Sequence, residues 1–232
     1  MIGWRVVFPA DWRSNVAEHG ALGIGFDVAT TAKQKSNPSS LTLLQQSGRD
    51  YVARLIVRFK TADPAVTEAI IREMLELPHG HRVRRLCADA TSEKFFVANL
   101  RKSLAGLVVV EPVVSSETME YRGEKMTVKA YLGNLLVNTV EDGRLLLPNA
   151  KWLERDLRQV KRENGSFSAD VDADGNHADA FDGLKLALFA LVRSGGPAAA
   201  AGAAVGGFGA QGKERWWKNP LARLRSTHRR LT

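Results

Sequence analysis

The 232-residue sequence predicts an α/β fold: a mixed five-stranded sheet with a three-strand antiparallel start, then β–α crossovers, and helices on both faces. Three observations predict it. Two β-rich runs, 40–46 and 51–59, flank the turn Ser-Gly-Arg-Asp and follow the apolar stretch 22–29, which makes three consecutive strands. Apolar runs at 82–90 and 107–114 then alternate with segments of helical period. Residues 178–193 close the pattern as one long apolar helix.

Each element has its own signal. Residues 1–21 read as a linker segment with one short apolar run, WRVVF. The first strand, 22–29, runs apolar and then meets Asp27 and small residues. Its Gly23-Ile24-Gly25 is a lone GxG that opens no helix, so it makes no dinucleotide site. A polar loop over 33–39 carries Lys33 and Lys35. Asp63 caps a helix with Pro64 in its first turn, and Val66, Ile70, Met74 and Leu77 recur on one face. The strand 82–90 brings Asp89 to its end. Residues 92–105 are helical, with Phe95, Phe96, Leu100 and Leu104 on one face. The β-branched run 107–114 predicts a strand buried on both faces. A helix over 125–139, a turn and short strand over 141–148, a helix-like 151–160 and a hairpin or irregular loop over 164–174 follow. This order matches the ribonuclease H-like architecture, and the domain spans 22–194. Residues 195–212 read as a Gly/Ala-rich linker and 213–232 as a basic tail with Trp216 and Trp217.

Charge and cysteine usage narrow the function classes. The net charge is +8 and the pI about 9.8, which suits a polyanionic partner. The tail holds seven basic residues against one acid, so it carries +6 of that charge and the body only about +2. One cysteine, Cys87, excludes an internal disulfide framework and a cysteine zinc site. No signal peptide and no apolar run of spanning length are visible, so a reducing intracellular setting fits and no membrane role is expected. The run D-V-D-A-D-G at 170–175 opens like a calcium loop, but its twelfth position is Phe181, where a bidentate Glu is required.

The acids carry the chemistry. Asp27 ends one apolar strand, Asp89 ends another, and Asp179 opens the last helix with Asp182 three residues on, on the same face. In the predicted sheet the first and fourth strands are neighbours, so Asp27 and Asp89 can approach each other. A carboxylate at a strand end is costly without a partner. Carboxylates converging on two Mg²⁺ or Mn²⁺ ions about 3.5–4 Å apart are what phosphodiester cleavage needs. Taken singly, each acid also reads as a turn or cap residue, and Asp179 as a favourable charge at a helix start. Lys33 and Lys35 suit DNA phosphates or are solvated charges.

The stretches GIGFDVA, CADATSEKF, EDGRLLLP with the following WLERDLRQV, and NHADAFDGLKLALFA resemble, in order and spacing, the C-terminal nuclease domain of tailed-phage terminase large subunits. The resemblance runs from about residue 22 to 192. It implies a two-metal-ion endodeoxyribonuclease that cuts concatemeric phage DNA during genome packaging. Asp27, Asp89 and Asp179 would be its catalytic and metal-binding acids, Asp182 a further or alternative ligand, and His177 a neighbour of the last acid. The implied partners are double-stranded DNA, a terminase ATPase domain, the small terminase subunit and the portal ring, in the host cell cytoplasm. The sequence departs from the family at one point: there is no G-x-x-x-x-G-K-[ST] loop and only 21 residues precede the first strand, so a separated nuclease domain, a split gene or a fragment is expected. Two other readings fit these residues: a junction-resolving or repair nuclease of the same fold, and a non-catalytic DNA- or portal-docking module whose acids are caps.

Overall fold

The structure is a computed structural model that describes residues 11–30, 37–121, 123–163, 166–170 and 177–193. The linker 195–212, the basic tail, Lys33, Lys35 and nearly all of the D-V-D-A-D-G run lie outside them.

The architecture is mixed α/β, built outward from β1 (Leu22–Asp27). It pairs antiparallel with β2 (Ser39–Ser47), which turns at Gly48 into β3 (Asp50–Phe59). On its other side β1 pairs parallel with β4 (Val83–Asp89), and β4 with β5 (Val110–Val113). The helices α1 (Pro64–Leu75) and α2 (Lys94–Ser103) make the crossovers. Asp63 caps α1 as the sequence predicts, its Oδ1 accepting the Ala65 N–H at 2.9 Å.

A β-hairpin, β6 (Thr118–Tyr121) and β7 (Glu124–Thr127), precedes α3 (Val128–Glu141). The sequence places a helix start at 125. Instead Thr127 caps α3, its Oγ1 accepting the Ala130 N–H at 3.1 Å, and the residues before it are strand. The short β8 (Leu145–Leu146) joins the sheet edge parallel to β3, so the main sheet has six strands in the order β5-β4-β1-β2-β3-β8 rather than five. Then come α4 (Lys151–Arg158), the hairpin β9 (Val160–Glu163) and β10 (Ser166–Ala169), and α5 (Asp179–Val192).

Two apolar layers sandwich the sheet. Ile24, Phe26, Leu41, Leu43 and Leu86 face Ile71, Met74, Val97 and Leu100 of α1 and α2. Leu44 and Cys87 face the layer of α3 and α5. Burial raises the Cys87 thiol to about 12, so it stays protonated as a packing residue.

Two expectations about these layers fail. Phe95 does not face the core: it is 89% exposed, and the buried face of α2 is Phe96, Val97, Leu100 and Leu104. Two adjacent phenylalanines cannot share a helical face, and Phe96 is the one that packs edge-to-face on Phe26 at 6.3 Å. Nor is 107–114 a strand buried throughout. Only Val110–Val113 pairs, and Leu107 is half exposed.

The glycines of the GxG pattern prove to be a seat for α5. A Cβ on Gly25 would stand 2.1 Å from the Gly183 carbonyl oxygen and 2.2 Å from the Ala187 nitrogen. One on Gly23 would meet Ala190 and Leu191 at 3.0 Å. At Gly25 backbone therefore lies on backbone, and no flexible side chain can yield. Gly25→Ala should lower stability by about 3 kcal/mol or abolish folding. A wild-type midpoint in urea would show that α5 is not seated on β1.

Candidate active site

Strand alternation places the first two acids. The register pairs Phe26 with Ala88, so Asp27 and Asp89 stand one residue further along adjacent parallel strands. Phe26 and Ala88 point to the α1–α2 layer, so both acids project to the other face, where α5 lies. The same face of β1 carries Gly25, against which α5 is seated. The direction of α5 then brings its first turn, with Asp179 and Asp182, to the strand ends.

Asp89 is held in place by its neighbours. Its Oδ1 accepts the Thr91 N–H at 2.8 Å and the Thr91 hydroxyl at 2.5 Å. Its Oδ2 accepts the Ser115 hydroxyl at 3.0 Å. Ser115 gives no catalytic signal in the sequence. Its role emerges only when the chain after β5 returns beside β4.

Asp27 is the electrostatic centre of the cluster. Withdrawal from solvent raises its pKa well above the usual carboxylate range, and Asp182, Asp179 and Asp89 push it further up against the opposing Lys185. Asp182 acts on it more strongly than Asp179 does. Lys185, 1% exposed, sits one helical turn beyond Asp182 and donates to its Oδ1. A buried ammonium needs such a partner. In the sequence Lys185 disappears into the apolar run of the helix, and it was missed as a site residue.

Asp179 is 2% exposed, and its Oδ2 has no hydrogen-bond partner among the described residues. Burial raises its pKa to about 7, Asp156 adds to the rise, Arg58 opposes it, and a hydrogen bond from the His177 backbone lowers it. His177 thus meets Asp179 through its main chain. Ala178 between them has φ 56°, a left-handed conformation that costs a residue with a Cβ about 1 kcal/mol.

Asp156 on α4 is a second residue missed. It is 3% exposed, its Oδ1 accepts the Ala180 N–H at 3.1 Å, and its Oδ2 meets Arg58 at 3.0 Å. Arg58 in turn lies over the Trp152 ring at 4.7 Å. Asp156 so caps α5 from a different element and holds the helix start that carries Asp179. The WLERDLRQV stretch contains it, but nothing local marks its partner, more than ninety residues away in β3.

Arg84 and Arg85 do not approach this site. Arg85 pairs with Glu111 at 3.2 Å inside the sheet, and Arg84 donates to the Leu191 carbonyl at the far end of α5.

The donor set suits a hard divalent cation. It offers carboxylate oxygens, one of them buried and unshared, and no thiolate or imidazole among them. Among the described residues, no three of His, Cys, Asp or Glu are gathered tightly enough to hold an ion as they stand. The acids share one end of the sheet and one field without closing to ligand geometry.

No family model matches the sequence, and no curated protein matches it. Solved structures do. The large terminase nuclease of the thermophilic phage G20c is 20% identical with a TM-score of 0.53, over 74% of this chain and 82% of that one. The nuclease domain of the Thermus phage P74-26 large terminase is 20% identical with a TM-score of 0.53, over 76% of this chain and 83% of that one. A point mutant of the nuclease domain of the large terminase subunit of bacterial virus Sf6, solved with manganese, is 11% identical with a TM-score of 0.50, over 77% of this chain and 93% of that one. The chain has the ribonuclease H-like fold of the large terminase nuclease domains.

Two outcomes follow from the electrostatics. In the metal-free protein, between about pH 4 and pH 7 an unfolded Asp179 is ionised while the folded one keeps its proton. Folding then takes up a proton, and this group's contribution to stability falls as pH rises through that window. Asp179→Asn, measured by urea unfolding in EDTA, should lose that part of the slope; an identical slope would refute the raised pKa. Asp156→Ala should cost about 2 kcal/mol, after allowance for the partial exposure of Arg58, and should fray the start of α5 in hydrogen exchange.

Proposed function

We propose that this chain is a metal-dependent DNA endonuclease of the large-terminase type, which cuts concatemeric phage DNA during genome packaging. One observation carries the proposal. Asp27 and Asp89 stand side by side at the ends of adjacent parallel strands, beneath a helix start bearing Asp179 and Asp182, in a fold shared with terminase nucleases. Mixed sheets of this kind serve many functions, so the acids and not the topology carry the chemistry.

In this reading Asp27 and Asp89 hold two Mg²⁺ or Mn²⁺ ions, Asp179 completes the site, and Asp182 is a further or alternative ligand. The ions supply Lewis acidity, which activates water for attack at phosphorus and stabilises the departing oxygen. The chain's own contribution is preorganisation. Thr91 and Ser115 fix the Asp89 carboxylate, Asp156 fixes the helix start, and Lys185 offsets negative charge that four acids would otherwise leave unbalanced. The acids around Asp27 press its pKa upward, and a bound cation would oppose that pressure. The G20c nuclease is known with bound magnesium and with bound zinc, which supports divalent-metal use here.

The substrate is double-stranded DNA, bound without base-specific contacts. Lys33 and Lys35 after β1 contribute phosphate contacts, and His177 supports the last acid. The basic 213–232 tail, beyond the Gly/Ala linker, adds affinity for DNA or for the packaging partners: an ATPase domain, the small subunit and the portal ring. The setting is the host cytoplasm; no helix among the described residues is long and apolar enough to cross a membrane.

The test is nicking of supercoiled plasmid in Mn²⁺ and in EDTA. Wild type should nick and linearise the plasmid with Mn²⁺ only, and Asp89→Asn should lose at least about a hundredfold in rate while keeping its fold. Unaltered cutting by Asp89→Asn would remove the site assignment.

A further inference from the structure

A hydroxyl buried beneath α5 serves no purpose in the packing of the fold. Ser40 on β2 is 0% exposed, and its Oγ has no hydrogen-bond partner among the described residues. Thr42, two residues on, is equally buried, and its Oγ1 is equally unpaired. A buried hydroxyl without a partner is destabilising, so its retention calls for a reason.

Strand pairing places Ser40 at the acids. In the antiparallel ladder of β1 and β2 it stands directly opposite Asp27, and Thr42 stands opposite Gly25. Directly opposed residues share a face of the sheet, with Cβ atoms about 5 Å apart. Leu41 and Leu43, which alternate with these two, pack into the α1–α2 layer. Ser40 and Thr42 therefore project with Asp27 toward α5. Gly183, the residue after Asp182, lies over them. A Cβ there would stand 2.9 Å from Ser40 Oγ and 3.0 Å from Thr42 Oγ1. Ser40 Oγ is thus held under the start of α5, one strand over from Asp27.

The two strand acids differ in their support. Asp89 accepts hydrogen bonds from Thr91 and Ser115, whereas no side-chain hydroxyl among the described residues donates to Asp27. We infer that Ser40 is the positioning residue of Asp27: when a divalent cation is bound, the Ser40 hydroxyl donates to the Asp27 carboxylate and fixes its orientation. A carboxylate that ligates a cation keeps lone pairs free for such a donor, and donors of this kind orient metal-bound side chains. Ser40 then does for Asp27 what Thr91 and Ser115 do for Asp89. Its unpaired hydroxyl in the metal-free protein is a donor held ready. Thr42, opposite a glycine, has no acid to serve. This inference rests on the nuclease reading and adds to it a residue that sets metal affinity without touching the metal.

The experiment uses the full chain, stripped of metal and titrated with Mn²⁺ in a calorimeter, beside thermal melting in EDTA. Ser40→Ala should bind Mn²⁺ about tenfold more weakly. It should melt in EDTA at or above the wild-type temperature, because the hydroxyl removed had no partner there. Thr42→Val removes the second unpaired hydroxyl beneath the same glycine and should keep wild-type Mn²⁺ affinity. A purely structural role for Ser40 would instead lower the melting temperature in EDTA. That result, wild-type Mn²⁺ affinity in Ser40→Ala, or an equal loss in Thr42→Val would each overturn the inference. The nuclease reading would survive any of these if the plasmid is still nicked in a manner that needs Mn²⁺ and Asp89. A wild-type chain that neither binds Mn²⁺ nor cuts DNA would overturn both.

Discussion

The seating of α5 on β1 is the contact on which the rest of the molecule depends. It is made without side chains between the two backbones, at Gly25 and Gly183, and so it sets the helix height on the sheet by van der Waals contact alone. Everything functional in the proposal hangs on that height. Asp179 and Asp182 lie in the first turn of this helix, Lys185 in the second, and Asp27 is two residues beyond Gly25. Strand alternation supplies the remaining geometry by sending Asp27 and Asp89 to the face the helix covers. The GxG pattern of β1 is thus a packing device rather than a nucleotide loop.

A site assembled this way concentrates negative charge in a place poor in water. The protein answers with two internal cations of different kinds. Lys185 is buried and sits within the acidic group, where it neutralises Asp182 and moderates Asp27. Arg58 approaches from β3, stacked on Trp152, and compensates Asp156 and Asp179. Neither removes the pressure on Asp27, whose charge remains opposed by three acids. The metal-free cluster is thus held short of electrostatic balance, the condition in which added divalent charge is welcome.

Much of this was legible in the sequence, for physical reasons that differ by element. The hairpin of β2 and β3 announces itself by alternation and its turn, and α1 by the Asp-Pro start, because these signals are local. Asp27, Asp89 and Asp179 stand out since an acid closing or opening an apolar run is locally anomalous. Other features have no local signal. In the Phe95-Phe96 pair periodicity cannot choose the inward residue, and tertiary packing on Phe26 makes the choice. The β6–β7 hairpin hides in a polar stretch whose pairing is decided by Gly123 at its turn and by the Thr127 cap after it. Asp156, Ser115 and Lys185 were invisible as site residues because their partners lie in other elements or, for Lys185, because a lysine in an apolar helix looks like a solvated interruption.

The last-helix seating also orders events in time. The sheet from β1 to β5 is complete by Val113, yet it carries only Asp27 and Asp89 of the four acids. The other two arrive with the closing helix of the described fold, more than sixty residues later. During synthesis the amino-terminal part of the chain emerges first and can collapse before that helix exists. A nascent chain on the ribosome therefore holds half of the acidic set until the last helix has emerged. The order of the elements thus makes the acidic cluster a late product of folding, complete only when α5 docks on β1.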